Sequence, residues 1–191
     1  MRLRLIRAAA TIETTDEFHQ ARLLLLLNAA SGRTKDPKPV DGIMKLAKMD
    51  FFLRYPNCLS RALAALPAES KPKRPDQVTI SEEDVDTVEA KMIRFRYGPW
   101  DNRYRRWLSV LVAKGLVSVW HHGRTVKVAV TELGRDVALN LAAHREFLGL
   151  AQRSHVIVST VGHMGATKLK DFVYSCFPEL NSMKWGESIE L

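Results

Sequence analysis

DNRYRRWLSVLVAKGLVSVWHHGRTVKVAVT, residues 101–131, decides the fold. Tyr104, Trp107, Leu108 and Leu111 stand at i, i+3, i+4 and i+7, the spacing of one apolar face of an α-helix. Asp101 is placed to cap that helix, and Pro99 biases the residue before it away from helical geometry. Gly115, just after Lys114, is placed to be the left-handed residue that ends it. Val117 and Val119 then alternate with polar residues, as do Val126, Val128 and Val130. Between them, His121-His122-Gly123-Arg124 reads as a short glycine-containing turn. Thr131, ahead of Glu132-Leu133-Gly134, is expected to cap a further helix. The pattern is helix, tight hairpin, helix.

The rest of the chain supplies the body on which this unit sits. Of its 191 residues, 46% are apolar, enough to bury a real core. The net charge of +8 favours an anionic partner or an acidic protein surface, although a solvated basic face accounts for it equally well. Cys58 and Cys176 are far apart in sequence. Two such cysteines argue against a disulfide scaffold and a cysteine-built zinc site, and fit a reducing cytoplasm. Arg4 and Arg7 interrupt the apolar residues at the N-terminus, so no signal-type segment is expected there. The longest apolar run, residues 23–27, is far too short to span a bilayer. The expected location is the cytoplasm, with no membrane partner.

Taken in order, Thr14 or Thr15 is expected to cap a first helix, with Asp16 and Glu17 in its first turn. Five consecutive leucines cover every face of it, which predicts burial on most sides. Residues 31–41, SGRTKDPKPVD, read as a loop. A second helix is expected over residues 42–54 and is broken at Tyr55-Pro56; Asn57 restarts a third with Leu59, Ala62, Leu63 and Leu66. Residues 67–80 form a basic, proline-containing linker, and Ser81-Glu82-Glu83-Asp84 opens another helix. In residues 93–97 the alternation of Ile93, Phe95 and Tyr97 with Arg94 and Arg96 admits a short strand, but a helix ending at Gly98 is the expected form. After the hairpin, a helix from Glu132 reaches the His144 region and continues or restarts as far as the break at residues 162–165. Thr167 is expected to cap a last helix over residues 168–176, stopped by Phe177-Pro178, with a polar tail beyond.

No catalytic constellation emerges. There is no glycine-rich phosphate loop and no nucleophile-elbow pattern. The six histidines lack the spacing of a ligand set, so no metal and no cofactor are expected, and no enzyme activity. What stands out is charge around the central helix and hairpin: Arg103, Arg105, Arg106 and Lys114 on or near the helix, Arg124 at the hairpin tip, and Lys127 on a strand. Arginine suits guanine edges and phosphates alike. DNA contact, docking on an acidic protein and a merely solvated face all remain open for these six residues.

Helix, KGLV, hairpin and TELG together resemble the recognition helix and wing of a winged helix-turn-helix domain. The expected class is mainly α with a small β-hairpin (α+β), with a winged-helix domain over residues 1–145 and a C-terminal helical extension over residues 146–191. In such a domain the recognition helix enters the major groove and the wing covers adjacent phosphates. Three further stretches carry a more specific likeness: LAKMDFFLRYPNCL (46–59), KMIRFRYGPWDNRY (91–104) and GATKLKDFVYSCFPEL (165–180). With these the chain resembles the middle subunits of bacterial three-component ABC/SMC-type ATPase systems, of which Lamassu anti-phage defence is the best-known member. The resemblance covers most of residues 42–191. It implies a non-catalytic accessory subunit that docks on an SMC-like ATPase and an effector, often a nuclease, with double-stranded DNA as a further partner. Catalysis would lie in those partners. The residues it points to for packing and docking are Trp100, Asp101, Tyr104, Lys168, Lys170, Phe172, Tyr174, Phe177 and Pro178. The rival reading is a stand-alone winged-helix transcription regulator, which would need a symmetric dimer.

Overall fold

A computed structural model describes residues 15–32, 37–66 and 91–191. The expected linker at 67–80, the helix expected from Ser81 and the N-terminal segment before Thr15 lie outside these residues. The fold is mainly helical with two small antiparallel sheets, an α+β arrangement. Helix α1 spans Asp16–Ser31, strand β1 Val40–Asp41, α2 Ile43–Arg54 and α3 Pro56–Ala65. A hairpin of β2 (Ile93–Phe95) and β3 (Gly98–Trp100) precedes α4 (Tyr104–Ala113), which leads into β4 (Val117–His122) and β5 (Thr125–Val130). Four helices finish the chain: α5 Glu132–Ala143, α6 Arg145–Val161, α7 Ala166–Cys176 and α8 Glu179–Ser182.

Helix α1 is the centre. Thr15 caps it, its hydroxyl accepting from the Phe18 N–H at 3.2 Å. Leu23 through Leu27 are all buried, because α4, α5, α6 and β5 pack around the helix on different sides. Each leucine withdrawn from water contributes about 1.5–3 kcal/mol before its entropy cost. The same apolar cluster runs on through Phe51, Phe52, Trp107, Ile157 and Phe177, so α6 and α7 share it with the central helix and hairpin.

The decisive stretch forms the expected helix, hairpin and helix, but Asp101 does not cap α4: Arg103 stands at the N-cap with no side-chain cap, and the Asp101 carboxylate accepts the Arg103 N–H at 2.9 Å. Tyr104, Trp107, Leu108 and Leu111 form the buried face of α4. The helix ends in a Schellman arrangement: Gly115, at φ 71, donates to Val112 O and Leu116 donates to Leu111 O, both at 2.9 Å. Strands β4 and β5 pair in register from Val117↔Val130 to His122↔Thr125. The turn is therefore Gly123-Arg124 alone, with only Gly123 at positive φ, the pattern of a type II′ turn. His121 and His122 belong to β4, a correction to the four-residue turn. Thr131 caps α5 through its hydroxyl and the Gly134 N–H at 2.9 Å. Gly134 allows this corner: a Cβ there would lie 1.9 Å from the Leu116 carbonyl oxygen.

Three other expectations are corrected. Residues 93–98 are not a helix end but the β2–β3 hairpin, so the two-residue alternation prevails and Gly98 sits at φ 117 in a hairpin. The loop expected at 31–41 contains β1, which pairs Val40↔Val128 and Asp41↔Lys127 and makes the larger sheet three-stranded, in the order β1-β5-β4. Helix α7 begins at Ala166 with Gly165 at its N-cap, and Thr167 lies inside it. The helix from Glu132 ends at Ala143, and His144 is the hinge from which α6 restarts.

The polar tail is also ordered into the body. Ile189 donates to Met92 O, Arg94 to Glu187 O and Gly186 to Arg94 O, at 2.7–2.8 Å, so the tail runs along β2 as a third strip. Tyr55 ties the two together, its hydroxyl accepting from the Met92 N–H at 2.8 Å and donating to Ile189 O at 3.2 Å.

Candidate functional site

Two regions concentrate polar chemistry: a buried charge network behind α4, and the outer face of α4 with the hairpin.

The network centres on Asp50, in the middle of α2 and fully buried. Its carboxylate accepts from Arg22 Nε at 2.7 Å and Nη2 at 3.1 Å, from Arg54 Nε at 3.0 Å and from the Tyr104 hydroxyl at 2.6 Å. Arg54 also reaches Asp101 at 2.9 Å, and Arg103 clasps the same carboxylate from outside at 2.8 and 3.0 Å. Burial pushes the Asp50 carboxyl up, but the Arg22 and Arg54 guanidiniums and the bonds from Arg22 and Tyr104 outweigh it and hold it below the usual carboxylate range. At Asp101 burial is again outweighed, here by the bond from Arg103 and the charge of Arg54, so that carboxyl too is depressed. Tyr104 is pushed up by burial and by the Asp50 charge, and so keeps its proton. His19 Nδ1 lies 2.6 Å from Arg22 Nη1, which fixes Nδ1 as the acceptor and places any ring proton on Nε2. Burial first, then the Arg22 charge, push His19 down to about 3, so the ring is neutral. Three guanidiniums, of Arg22, Arg54 and Arg103, surround two carboxylates, of Asp50 and Asp101; Arg22, Asp50 and Arg54 are closed to solvent, while Arg103 is partly exposed. The network binds α1, α2 and α4 to one another at fixed angles.

Of this set, sequence reading singled out Asp101 and Tyr104 for a packing and docking surface and Arg103 for the basic face. Arg22, Asp50 and Arg54 escaped notice. A charged residue amid apolar neighbours is the available signal: Arg22 directly precedes the leucine run, and Asp50 directly precedes Phe51-Phe52.

The outer face is less uniformly basic than its sequence. Arg103 is spent on Asp101 and lies 4.8 Å over the Trp107 ring. Arg106 pairs with Asp16, which also accepts the Trp107 indole N–H at 2.8 Å. Lys114 donates to Gln20 at 3.2 Å, and Lys127 pairs with Asp41 at 2.6 Å. Arg105 on α4 and Arg124 at the hairpin tip are exposed, and neither has a partner among the described residues. Exposed apolar side chains occur on the same elements: Val112 at the end of α4, Leu133 beside Gly115 at the start of α5, and Val119 and Trp120, neighbours on β4 that point to opposite faces of the hairpin, Trp120 at 42%. β4 is moreover an edge strand among the described residues.

The residues of the second candidate group divide. Asp101, Tyr104 and Phe177 are buried in the body, Phe177 edge-on to Phe51 at 5.4 Å. Trp100, Phe172 and Tyr174 are half-buried; Trp100 packs on Tyr104 at 5.1 Å, and the Arg94 guanidinium lies 5.5 Å over Tyr174. Lys168 and Pro178 are exposed, and Lys170 pairs with its neighbour Asp171 at 3.1 Å. These residues do not form one surface. Lys48, which lies under this region, is pushed down to about 8 by burial and by the charge of Lys170.

Among the described residues no three histidine, cysteine, aspartate or glutamate side chains converge as metal ligands, and no helix is long and apolar enough to cross a membrane. No protein-family model, curated protein or solved structure matches the chain.

Proposed function

We propose that the chain is an accessory subunit that performs no reaction itself and docks, through the outer face of α4 and the β4–β5 hairpin, on an SMC-like ATPase of an anti-phage defence complex with an effector nuclease. The fold reading beneath this is a winged helix. The strand order β1-β5-β4 supports it, since the short strand after the first helix lies beside the second strand of the wing, with α4 in the place of the recognition helix. The chain departs from a tight helix-turn-helix, because α3, residues 67–90 and the β2–β3 hairpin separate α2 from α4. The buried bonds Tyr104–Asp50 and Arg54–Asp101 take over the task of holding those two helices together.

The observation that carries the docking reading is the composition of the outer face. Four of the six candidate cations are already engaged within the chain, and Arg105 and Arg124 have no partner among the described residues, while Val112, Val119, Trp120 and Leu133 stand exposed on α4, β4 and the start of α5. Exposed apolar groups with an aromatic anchor and a charged rim are the anatomy of a protein interface. Co-elution of the chain with an SMC-like ATPase of the proposed complex tests this. The wild type is expected to co-elute, and Trp120→Ala with Val119→Ser to elute alone while melting normally. A wild type that elutes alone refutes the reading.

Arg105 and Arg124 favour a second reading, a stand-alone winged-helix DNA-binding regulator. It predicts a stable dimer in solution and a sharp footprint on its own promoter, with affinity that falls steeply with salt.

A further inference from the structure

On the other side of α4, the β2–β3 hairpin and the tail strip beside it carry Phe95, Tyr97 and Trp185, exposed by 39, 46 and 67%. From this arrangement we infer that the hairpin and tail form a stacking platform for single-stranded nucleic acid. Phe95 is on β2, Tyr97 is in the turn, and Trp185 precedes Gly186, whose N–H bonds to Arg94 O. The rings therefore sit on adjacent strips of backbone; neighbouring strands lie only about 4.8 Å apart.

Two features separate this platform from scattered surface aromatics. The first is backing. Phe95 stacks on Trp100 at 6.0 Å and 29°, Trp100 packs on Tyr104 at 5.1 Å, and Tyr104 meets Trp107 edge-on at 5.6 Å. The exposed ring is thus the outer end of an aromatic series anchored in the core, and ordering it on binding costs little further entropy. The second is charge. The Arg96 guanidinium lies 5.3 Å over the Tyr97 ring at the tip, and Lys184 is exposed next to Trp185. Of the acids nearby, Glu190 pairs with Lys91, while Glu187 accepts the Lys184 backbone N–H at 2.7 Å and keeps its charge. Flat rings beside Arg96 at the hairpin tip suit a polyanion whose bases are free to stack. A duplex hides those faces, so this platform prefers unpaired strands.

The probe is a fluorescently labelled oligothymidylate of twenty nucleotides, titrated at low salt against the full chain. The wild type is expected to bind, with quenching of tryptophan emission, and to prefer the single strand at least tenfold over a duplex of equal length. Phe95→Ala with Tyr97→Ala and Trp185→Ala is expected to weaken binding at least tenfold with an unchanged circular dichroism spectrum. Arg96→Glu alone is expected to flatten the salt dependence by about 0.7 in log–log slope. Arg105→Glu with Arg124→Glu, on the other face, is expected to leave oligothymidylate binding in place, which keeps this result separate from the docking test. Absence of binding by the wild type overturns the proposal, as does equal affinity for duplex. Binding that survives the triple variant also overturns it and assigns the effect to net charge alone. Loss of ATPase co-elution in the triple variant, without oligothymidylate binding by the wild type, reassigns the platform to a protein partner.

Discussion

Asp50→Ala is the perturbation that most sharply interrogates the body of the fold. The carboxylate accepts four hydrogen bonds, from Arg22 twice, Arg54 and Tyr104, all between 2.6 and 3.1 Å. Its removal leaves Arg54 with Asp101, but leaves the buried Arg22 guanidinium without its carboxylate partner and the Tyr104 hydroxyl without its acceptor. Breaking one side of a buried ion pair costs about 3–5 kcal/mol, because the surviving charge stays desolvated. Domains of this kind are stable by about 5–15 kcal/mol in total, so the variant should be only marginally folded at room temperature. Urea unfolding followed by circular dichroism at pH 7 measures this. Adding Arg22→Met to Asp50→Ala should recover part of the loss, since it removes the uncompensated cation, and the double-mutant cycle gives the coupling directly. A loss below about 1 kcal/mol for Asp50→Ala, or a double variant whose losses simply add, would refute the claim that this network is closed and interdependent.

Three further outcomes follow from the same geometry. His19 is pushed down to about 3 and is neutral when folded, whereas an unfolded histidine titrates near 6.5. The unfolded chain therefore binds the extra proton first, and stability should fall as pH drops below 6.5, by about 2 kcal/mol at pH 5. His19→Asn, which keeps an acceptor for Arg22, should flatten that region of the profile, while Asp50 and Asp101 add their own loss only as pH falls below about 4 toward their depressed values. Gly134→Ala in an ordinary helix would gain up to about 1 kcal/mol, but a Cβ 1.9 Å from the Leu116 oxygen and 2.9 Å from a Val130 methyl should reverse the sign and lower the melting temperature sharply. Tyr104→Phe removes only the hydroxyl on Asp50 and should cost about 1.5–3 kcal/mol in the same urea assay, less than Asp50→Ala.

Periodicity made the helices and the central hairpin readable, because each repeats one signal over many residues. Tyr104 through Leu111, the leucines of α1 and the valines of β4–β5 are all of this kind. Caps with side-chain chemistry were readable too, at Thr15 and Thr131. The failures share a cause. β1, β2, β3 and the tail strip are two or three residues long, too short for periodicity, and are stabilised by partners remote in sequence: β1 by β5, and the tail by Met92, Arg94 and Tyr55. Asp50 and Arg54 look like the wet side of α2 in one dimension and become its buried side only when α1 and α4 close over them. Charge counts also overstate how available the basic residues are: Asp16, Gln20 and Asp41 meet Arg106, Lys114 and Lys127 from other elements, and Asp101, two residues away, meets Arg103.

Amide hydrogen exchange of the full chain, alone and mixed with an SMC-like ATPase of the proposed complex, tests the docking account most directly. The account predicts new protection confined to residues 105–133, the outer side of α4, the β4–β5 hairpin and the start of α5, and none in the already buried segments around Asp50. An unchanged exchange pattern on mixing, or protection that leaves Trp120 and Arg124 untouched, would contradict it.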